Sequence, residues 1–546
     1  MVFDYVIVGG GSAGSALAAR LSEDPATRVC LLEAGGRGNS LLVRAPFGIL
    51  AMLPGHGRIN NWAFKTVPQP GLGGRRGYQP RGRALGGSSA INAMIYMRGQ
   101  KQDYDDWAAR GCPGWSWDEV LPYFIRSEGN ERGADAFHGA DGPLKVSDQR
   151  APRPISRAFV EAHVQRGLKT TRDFNRGDNE GAGLVQVTQF SSPERNGERC
   201  SAAAAYLFDI MHSRPNLSVF TGTRALRILF EGRRAVGVAC RHARRHRRIR
   251  AAREVILCAG TFQSAQLLML SGVGDGRALR RQGIDIVHHL PGVGKNLHDH
   301  PDFILSYKTD DPDTVGVGLR PAVKLFREAM QWRRDGNSMI ASPGAEAVSF
   351  LKTDAALDRP DIQTHFVIGI IDDHARRIHL GNGYSCHVCV LRPHSRGEVF
   401  LESPDPLAAP GIDPAFLSDR RDLETLIRGT RMAHDILEAP AMARYRKREL
   451  HGVRPGLSDA RWEEHIRSRA DTIYHPVGTC RMGTDDMAVV DPALRVHGLQ
   501  GLRVADASIM PRVISGNTNA PAIMIGEKCA DMLRKSSQPT GPAPLP

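Results

Sequence analysis

The sequence predicts an α/β protein in which both chain ends build one domain and the middle of the chain builds an α+β cap domain on a mostly antiparallel sheet. Residues 5–32 show a short apolar strand, a glycine turn, a helical stretch and a second strand, which is the unit that builds parallel sheets. Near the other end, a strand at 502–507 precedes a closing helix at 522–533. Between them, strands such as 363–370 alternate with helical stretches such as 422–437.

These signals define the expected domain boundaries. The apolar segments 217–220 and 255–257 are expected to return to the first sheet. We therefore assign residues 1–155, 205–300 and 475–546 to the first domain, and residues 156–204 and 301–474 to the cap. The Pro/Gly/Ser-rich end, 536–546, is expected to be a disordered tail.

The chain is strongly basic, with 72 Lys and Arg against 58 Asp and Glu in 546 residues, a net charge of +14. Such a charge favours anionic partners. Much of it lies in the run 241–250, which separates two apolar segments and is typical of a solvated hairpin. The run has no interleaved aromatic residue for base stacking. We therefore expect no nucleic-acid partner, whereas peripheral association with an anionic membrane stays open.

The cysteines and histidines do not predict a metal site. Nine scattered cysteines form no disulfide framework and indicate a reducing compartment. Cys386 and Cys389 have the spacing of zinc ligands, but no second pair completes the set, and His298 and His300 also lack partners at ligand spacing. A buried strand begins directly after Met1 and no long apolar run follows. We expect a cytoplasmic protein, with the cytoplasmic membrane face as an alternative location.

The turn Gly9-Gly10-Gly11-Ser12-Ala13-Gly14 follows the first strand and opens the first helix. In such turns the first glycine permits the tight bend, the second lets a pyrophosphate approach, and the third lets helix and strand pack closely. Glu33 ends the next strand, where a carboxylate accepts hydrogen bonds from ribose hydroxyls. The context predicts a Rossmann-like, dinucleotide-binding domain. The motif alone does not distinguish FAD from NAD.

A second glycine-rich loop, Gly82 to Met94, offers many backbone N–H groups to a flat ring and a diphosphate. With this loop the sequence resembles the glucose-methanol-choline family of flavin oxidoreductases. The resemblance extends along the chain in the family's order, through residues 258–274, 292–300, 475–483 and 516–521.

The resemblance implies FAD as the cofactor. Some family members attach flavin covalently through a histidine at the position of Ile91, and isoleucine cannot form that bond, so non-covalent FAD is expected. The positions expected to contact FAD are Gly9, Gly11, Ser12, Ala13, Gly14, Glu33, Ala34, Gly86, Gly87, Ser88, Asn92, Ala93, Ala225, Asp506 and Ala507.

The resemblance also implies the catalytic groups. Oxidising an alcohol requires removal of the hydroxyl proton as the hydride leaves, and His475 is expected to be the base. Asn519 is expected to hold the substrate oxygen. Glu346 falls near the position where choline-oxidising relatives bind the quaternary ammonium, although relatives that act on uncharged alcohols have similar segments.

The expected function is oxidation of a primary alcohol to an aldehyde by hydride transfer to flavin N5, with electrons passed to a quinone or another non-oxygen acceptor. A choline dehydrogenase and an oxidase that uses O2 are the alternatives, and Ile473 is a residue that could restrict oxygen access. An FAD-containing lyase is a further alternative. The sequence leaves the oligomeric state open.

Overall fold

The computed structural model describes residues 1–537, which form two large sheets with helices packed against them. The strands are β1 (Val2–Val8), β2 (Val29–Leu32), β3 (Phe64–Pro68), β4 (Arg76–Gln79), β5 (Glu128–Asn130), β6 (Leu144–Val146), β7 (Gly181–Leu184), β8 (Leu217–Phe220), β9 (Thr223–Glu231), β10 (Arg234–His242), β11 (Arg245–Leu257), β12 (Val273–Gly274), β13 (His288–His289), β14 (Pro301–Thr309), β15 (Gly316–Val317), β16 (Ala345–Leu351), β17 (Ile362–Val367), β18 (Gly381–Val390), β19 (Glu398–Phe400), β20 (Gly411–Asp413), β21 (Arg448–Glu449), β22 (Asp471–Thr472) and β23 (Leu502–Val504). The helices are α1 (Ser12–Leu21), α2 (Leu41–Arg44), α3 (Ile49–Met52), α4 (Lys101–Ala109), α5 (Trp117–Ser127), α6 (Pro154–Gln165), α7 (Ala202–Tyr206), α8 (Gly260–Leu270), α9 (Gly276–Arg281), α10 (Leu319–Asp335), α11 (Arg420–Leu437), α12 (Asp459–Arg469) and α13 (Asn519–Ser537).

The first sheet has the order β8-β2-β1-β11-β10-β9, and β23 also pairs with β11. β1 runs parallel to β2 and β11, and β23 runs parallel to β11, so strands from both chain ends meet in one sheet. The central strands are buried, with Val6, Ile7 and Leu31 fully covered, because helices pack on the sheet. The basic run forms the tip and arms of the antiparallel β10–β11 hairpin, as predicted.

The second sheet has the order β21-β14-β18-β17-β16-β7, with antiparallel pairing throughout this path. Helices α6 and α11 pack against it. Phe366 and Val388 lie in the apolar cluster between the sheet and these helices. Side chains alternate between the two faces of a strand. His365 and His387 directly precede Phe366 and Val388, so they lie on the other face of the sheet, where they line a cavity.

The predicted fold class is confirmed: a mixed α/β sheet with a parallel centre is joined to a largely antiparallel sheet in the middle of the chain. The domain boundaries given above remain a prediction. The predicted tail, 536–546, lies outside the described residues except for its first two, which belong to α13. In the described part of the chain, every helix is either too short or too polar to span a lipid bilayer.

Candidate active site

One cavity of about 580 Å³ extends from the glycine turn after β1 to the second sheet. One end is lined by Gly9, Gly11, Glu33 and neighbouring backbone, and the other by His365, His475 and apolar side chains. An elongated cavity with polar backbone at one end and imidazoles at the other suits a long cofactor with a reactive ring.

The glycine turn is shaped for close approach of backbone to a ligand. A Cβ atom at Gly14 would lie 1.9 Å from the carbonyl oxygen of Gly9, so the third glycine keeps helix and strand together. At Gly11, by contrast, the nearest atom to an added Cβ is the Cα of Gly87, 3.8 Å away. Gly11 therefore faces open space in the cavity. The first backbone N–H groups of α1 have no hydrogen-bond acceptor within the helix, and they lie at this side of the cavity.

Glu33 ends β2 beside this turn and is buried. Its carboxylate accepts hydrogen bonds from the backbone N–H groups of Gly10, at 3.0 Å, and Gly35, at 2.7 Å. Burial raises the pKa of Glu33 to about 7 although both N–H groups oppose the shift. The carboxylate is thus rigidly oriented at the cavity wall, where its remaining lone pairs can accept ribose hydroxyls.

The loop Gly86–Ser88 lies across the glycine turn. Gly86 and Gly87 have φ angles of 90° and 53°, in the region that favours glycine. Asn92, a few residues later, accepts a hydrogen bond through Oδ1 from the buried Arg199, at 2.8 Å. Because the amide oxygen is engaged in this way, the amide NH₂ of Asn92 is the group available to a ring in the cavity.

Asp506 follows β23 and connects two segments that line the cavity. Its carboxylate accepts hydrogen bonds from the N–H of Gly260, at 2.8 Å, and from the hydroxyl of Ser264, at 2.6 Å. It also accepts from the N–H of Ser508, at 2.8 Å. Asp506 therefore joins the start of α8 to the C-terminal segment, and the adjacent Ala507 lines the cavity.

The backbone that carries His475 is held in an unusual conformation. Tyr474 has a φ angle of 77°, which is strained for a non-glycine residue. Arg81 donates to the carbonyl of Tyr474 at 2.8 Å, and Asp299 accepts from the N–H of His475 at 2.9 Å. Asp299 also accepts from the hydroxyl of Thr472. These bonds determine the direction in which the imidazole points.

The contacts of His475 define its tautomer. Gln363 donates to Oδ1 of Asn517 at 3.1 Å, so the NH₂ of Asn517 faces Nε2 of His475, also at 3.1 Å. An N–H group requires a lone pair opposite it, which places the proton of His475 on Nδ1. Nδ1 of His475 then donates a hydrogen bond to Nδ1 of His300, which lies 3.1 Å away. Nε2 of His475 is therefore the basic nitrogen.

The surroundings keep His475 neutral. Burial, reinforced by His300, His365 and Arg81, lowers the pKa of His475 well below its ordinary value of 6.5. Burial likewise lowers the pKa of His300 and His365 to about 3. A neutral imidazole with its lone pair on Nε2 is the form that accepts a proton.

The structure corrects the prediction for Asn519. Asn519 begins α13, and its amide oxygen accepts a hydrogen bond from the hydroxyl of Ser12 at 2.7 Å. It therefore lies at the glycine turn. The asparagine whose amide contacts His475 is Asn517. The two residues stand two positions apart on either side of the helix start, so their side chains diverge.

The prediction for Glu346 is also corrected. Glu346 is fully buried and is not among the cavity residues, whereas its neighbour Ala345 is. Its carboxylate accepts from the hydroxyls of Ser156 and Ser342, both at 2.7 Å, and from the N–H of Arg153 at 2.7 Å. Glu346 stands at a β-bulge between β16 and β17, and its carboxylate is held by Ser156 and Ser342 away from the cavity.

The walls near the imidazoles are mostly apolar. They include Ile91, Met94, Val315, Val317, Val367, Ile368, Ile370, Ile371, Ile378 and Ile473. Glu33 and Asp506 are the only acidic residues that line the cavity within residues 1–537, and both are bound to backbone N–H groups at the glycine-turn end. The imidazole end thus carries no carboxylate from the described residues.

Most of the predicted cofactor positions line this one cavity. They are Gly9, Gly11, Ser12, Ala13, Glu33, Ala34, Gly87, Ser88, Asn92, Ala93, Ala225, Asp506 and Ala507, together with His475 and Asn519. Gly14 and Gly86 shape the two loops without lining the cavity. The sequence interpretation missed Asp299, His300, His365 and Asn517. His300 and Asp299 stand in the resembling segment 292–300, which was the available signal.

The thiols of Cys386 and Cys389 are both buried in β18. Within residues 1–537, no group of three or more His, Cys, Asp and Glu side chains is arranged to hold a metal ion.

The cavity fits FAD. The glycine turn, the helix N-terminus and Glu33 suit an adenosine diphosphate, and Asn92 and His475 flank the far end where a flavin ring would lie. Ile91 lines the cavity and offers no nucleophile, so the cofactor is bound non-covalently. Fold and site together define an FAD-dependent oxidoreductase.

Comparison with known proteins identifies the family. The N-terminal domain of the GMC oxidoreductase family matches residues 3–302, and its C-terminal domain matches residues 393–526. The chain belongs to the GMC oxidoreductase family.

Two relatives are similar over almost the whole chain. The chain is 45% identical to an alcohol dehydrogenase [acceptor] of Pseudomonas putida, over 97% of this chain and 96% of the relative. It is 43% identical to an oxygen-dependent choline dehydrogenase of Paraburkholderia xenovorans (strain LB400), over 97% and 94%.

Two solved structures share the fold. One is pyridoxine 4-oxidase from Mesorbium loti, with a TM-score of 0.87 and 33% identity over 98% of this chain and 99% of that one. The other is formate oxidase from Aspergillus oryzae, with a TM-score of 0.90 and 27% identity over 98% of each chain.

Proposed function

We propose that the protein oxidises an uncharged primary alcohol to an aldehyde, with His475 as the base that accepts the hydroxyl proton. The observation that carries this proposal is the unprotonated Nε2 of His475, which the His300 and Asn517 contacts define and which lies beside the Asn517 amide at the cavity wall. An alkoxide donates hydride far more readily than an alcohol does, so proton removal by His475 is the step the protein must supply. FAD, when bound, supplies the hydride acceptor at N5.

Asn517 is the second polar group in the proposal. Its NH₂ faces both His475, at 3.1 Å, and His365, at 3.4 Å. A substrate oxygen placed against Nε2 of His475 is within reach of this amide. Asn517 then donates a hydrogen bond that holds the oxygen and strengthens as negative charge develops on it.

The cavity favours an aliphatic alcohol over choline. A quaternary ammonium needs a carboxylate or an aromatic cage. The imidazole end has apolar walls, and Arg377, which also lines the cavity, repels a cation. The carboxylate predicted for this role, Glu346, is bound to Ser156 and Ser342 instead. The similarity to an alcohol dehydrogenase [acceptor] supports an alcohol as the substrate.

The electrons taken from the alcohol pass, in this proposal, to a quinone or another non-oxygen acceptor. The name of the Pseudomonas putida relative specifies an acceptor, and that of the choline dehydrogenase specifies oxygen dependence. Ile473 lines the cavity two residues before His475, and we propose that its side chain restricts the access of O2 to the flavin.

Anaerobic mixing of the FAD-loaded protein with alcohols tests the proposal. We expect straight-chain primary alcohols to bleach the flavin absorbance and choline to leave it largely unchanged. Reduced protein is then mixed with a soluble quinone or with O2, and the quinone is expected to reoxidise the flavin faster. If choline bleached the flavin as fast as the straight-chain alcohols do, the preference for an uncharged alcohol would be rejected. If no alcohol bleached it, alcohol oxidation would be rejected in favour of a lyase.

A further inference from the structure

Helix α10 presents an apolar stripe to solvent. Leu319, Val323, Phe326 and Met330 stand at positions i, i+4, i+7 and i+11, which place them on one side of the helix. Their side chains are 84%, 49%, 69% and 56% exposed. A helix on the surface of a globular protein normally turns such a stripe towards the core.

The opposite side of α10 is the one that packs against the protein. Trp332 is buried there and donates through Nε1 to the carbonyl of Gly197 at 3.0 Å. Glu328 accepts from the N–H of Met339 at 2.7 Å, and Gln331 is half-buried on the same side. The helix is therefore anchored through a largely polar face, with its apolar face directed outwards.

The apolar stripe continues to the entrance of the cavity. β15 directly precedes the helix and pairs with β18, so that Val317 lies opposite Gly381. Val317, Ile378 and Leu50 are 45%, 73% and 38% exposed and also line the cavity. We name as the entrance surface the exposed residues Leu50, Val317, Leu319, Val323, Phe326, Met330, Ile378 and Leu380. Contiguous exposed apolar surface of this kind marks a binding face.

Cations border the entrance surface. α10 carries Arg320, Lys324, Arg327, Arg333 and Arg334 against Glu328 and Asp335. Arg320, Arg327 and Arg334 follow each other at intervals of seven and so form a row along one edge of the apolar stripe. Arg320, Arg327 and Arg333 make no ion pair with any carboxylate in residues 1–537. Their charges are available to an anionic partner.

We propose that the entrance surface binds an anionic lipid bilayer, with α10 lying in the headgroup region and its apolar stripe inserted among the acyl chains. An apolar stripe edged by arginines is the pattern of an interfacial helix. Phosphate headgroups complement the row of cations. A second copy of the chain would instead bring two cationic borders together, which like-charge repulsion opposes.

This arrangement places the cavity entrance at the membrane. If the proposed function holds, aliphatic alcohols and a lipid-soluble quinone reach the site from the bilayer rather than through water. Membrane binding itself does not depend on the substrate, so it is tested without any alcohol.

The test is flotation of the FAD-loaded protein with vesicles of phosphatidylcholine, with and without phosphatidylglycerol. We expect binding to vesicles that contain phosphatidylglycerol and weaker binding as salt is raised. The double variant F326S/M330S should bind at least about tenfold more weakly, because two apolar side chains no longer insert. M487S is the matched control, since Met487 is another exposed methionine, 42% exposed, outside the entrance surface.

Charge variants distinguish the helix from the basic hairpin. R320Q/R327Q is expected to weaken binding and reduce its salt dependence, whereas R245Q/R248Q in the hairpin is expected to leave it close to that of the unaltered protein. Unchanged flotation of F326S/M330S, or loss confined to R245Q/R248Q, would overturn the proposal. A protein that fails to float and whose F326S/M330S variant changes from dimer to monomer in light scattering would assign the surface to a second copy instead.

Discussion

The amide nitrogen of Asn517 lies 3.1 Å from Nε2 of His475, and its amide oxygen is held by Gln363. This relationship defines which nitrogen of the imidazole is basic and places a hydrogen-bond donor beside it. The base and the group proposed to hold the substrate oxygen therefore form one unit, although they lie on separate loops.

His475→Ala is expected to slow anaerobic flavin reduction by about a hundredfold or more, because no other group takes the hydroxyl proton. FAD absorbance and thermal stability should be retained, since the variant leaves the glycine turn intact. Stopped-flow reduction with a primary alcohol measures the effect, and replacement of the exposed His212 by Ala is the control. A variant reduced as fast as the unaltered protein would exclude His475 as the base.

Asn517→Ala is expected to slow the same reduction about tenfold to a thousandfold, because the developing oxyanion loses its donor. Asn519→Ala is the matched comparison. Its amide contacts Ser12, so we expect weaker FAD binding with little change in the reduction rate of the loaded protein. A larger rate loss in Asn519→Ala than in Asn517→Ala would reverse the assignment made here.

The reduction rate is expected to be constant above about pH 7 and to fall at lower pH. Burial lowers the pKa of His475 well below 6.5, so the imidazole is already neutral there. Burial raises the pKa of Asp299 to about 6. Protonation of Asp299 weakens the hydrogen bond that it accepts from the backbone N–H of His475, so this titration also lowers the rate as pH falls. A pH profile of anaerobic reduction checks this, and a midpoint above pH 7 would contradict it.

Stability should decrease over the same acidic range. The pKa values of His163, His300 and His365 are lowered to about 4, 3 and 3 by burial. Below pH 6.5 the unfolded chain binds protons that the folded chain cannot, so the stability that these neutral histidines contribute is present above pH 6.5 and is lost as pH falls towards their folded pKa values. Urea unfolding at several pH values measures this slope.

Gly11→Ala and Gly14→Ala are expected to separate cofactor binding from folding. An added Cβ at Gly11 meets nothing closer than 3.8 Å and projects into the cavity, so the chain should fold with near-unaltered stability but bind FAD more weakly. At Gly14 the Cβ would lie 1.9 Å from the carbonyl oxygen of Gly9, which should destabilise the fold itself. Thermal unfolding of the cofactor-free protein and titration with FAD distinguish the two outcomes. Equal FAD affinity in Gly11→Ala and the unaltered protein would contradict the position given to the pyrophosphate.

Glu346→Gln is expected to reduce the free energy of unfolding by about 1–3 kcal/mol, because three donors lose a charged acceptor. Selectivity between choline and an aliphatic alcohol should not change, since Glu346 does not line the cavity. A loss of choline reduction specific to this variant would restore Glu346 as a substrate ligand.

The sequence by itself determined the features that depend on local pattern. The turn from Gly9 to Gly14, the strands on either side of it and Glu33 at the end of β2 are neighbours along the chain, so steric and periodic rules suffice to recognise them. The meeting of both chain ends in one sheet followed from similar apolar segments. The assignment of His475 as the base rested on resemblance to a family, because a histidine before a proline has no local signature of catalysis.

Only the tertiary structure decided which side chains meet. Asn517 and Asn519 are two residues apart, and the start of α13 between them directs one to His475 and the other to Ser12. Glu346 and Ala345 are adjacent, and the strand directs only the second into the cavity. His300 and Asn517 come from segments far apart in the chain and contact the imidazole of His475, and His365 contacts Asn517. Side-chain direction depends on the exact helix start and strand register, which long-range packing sets and short-range pattern does not.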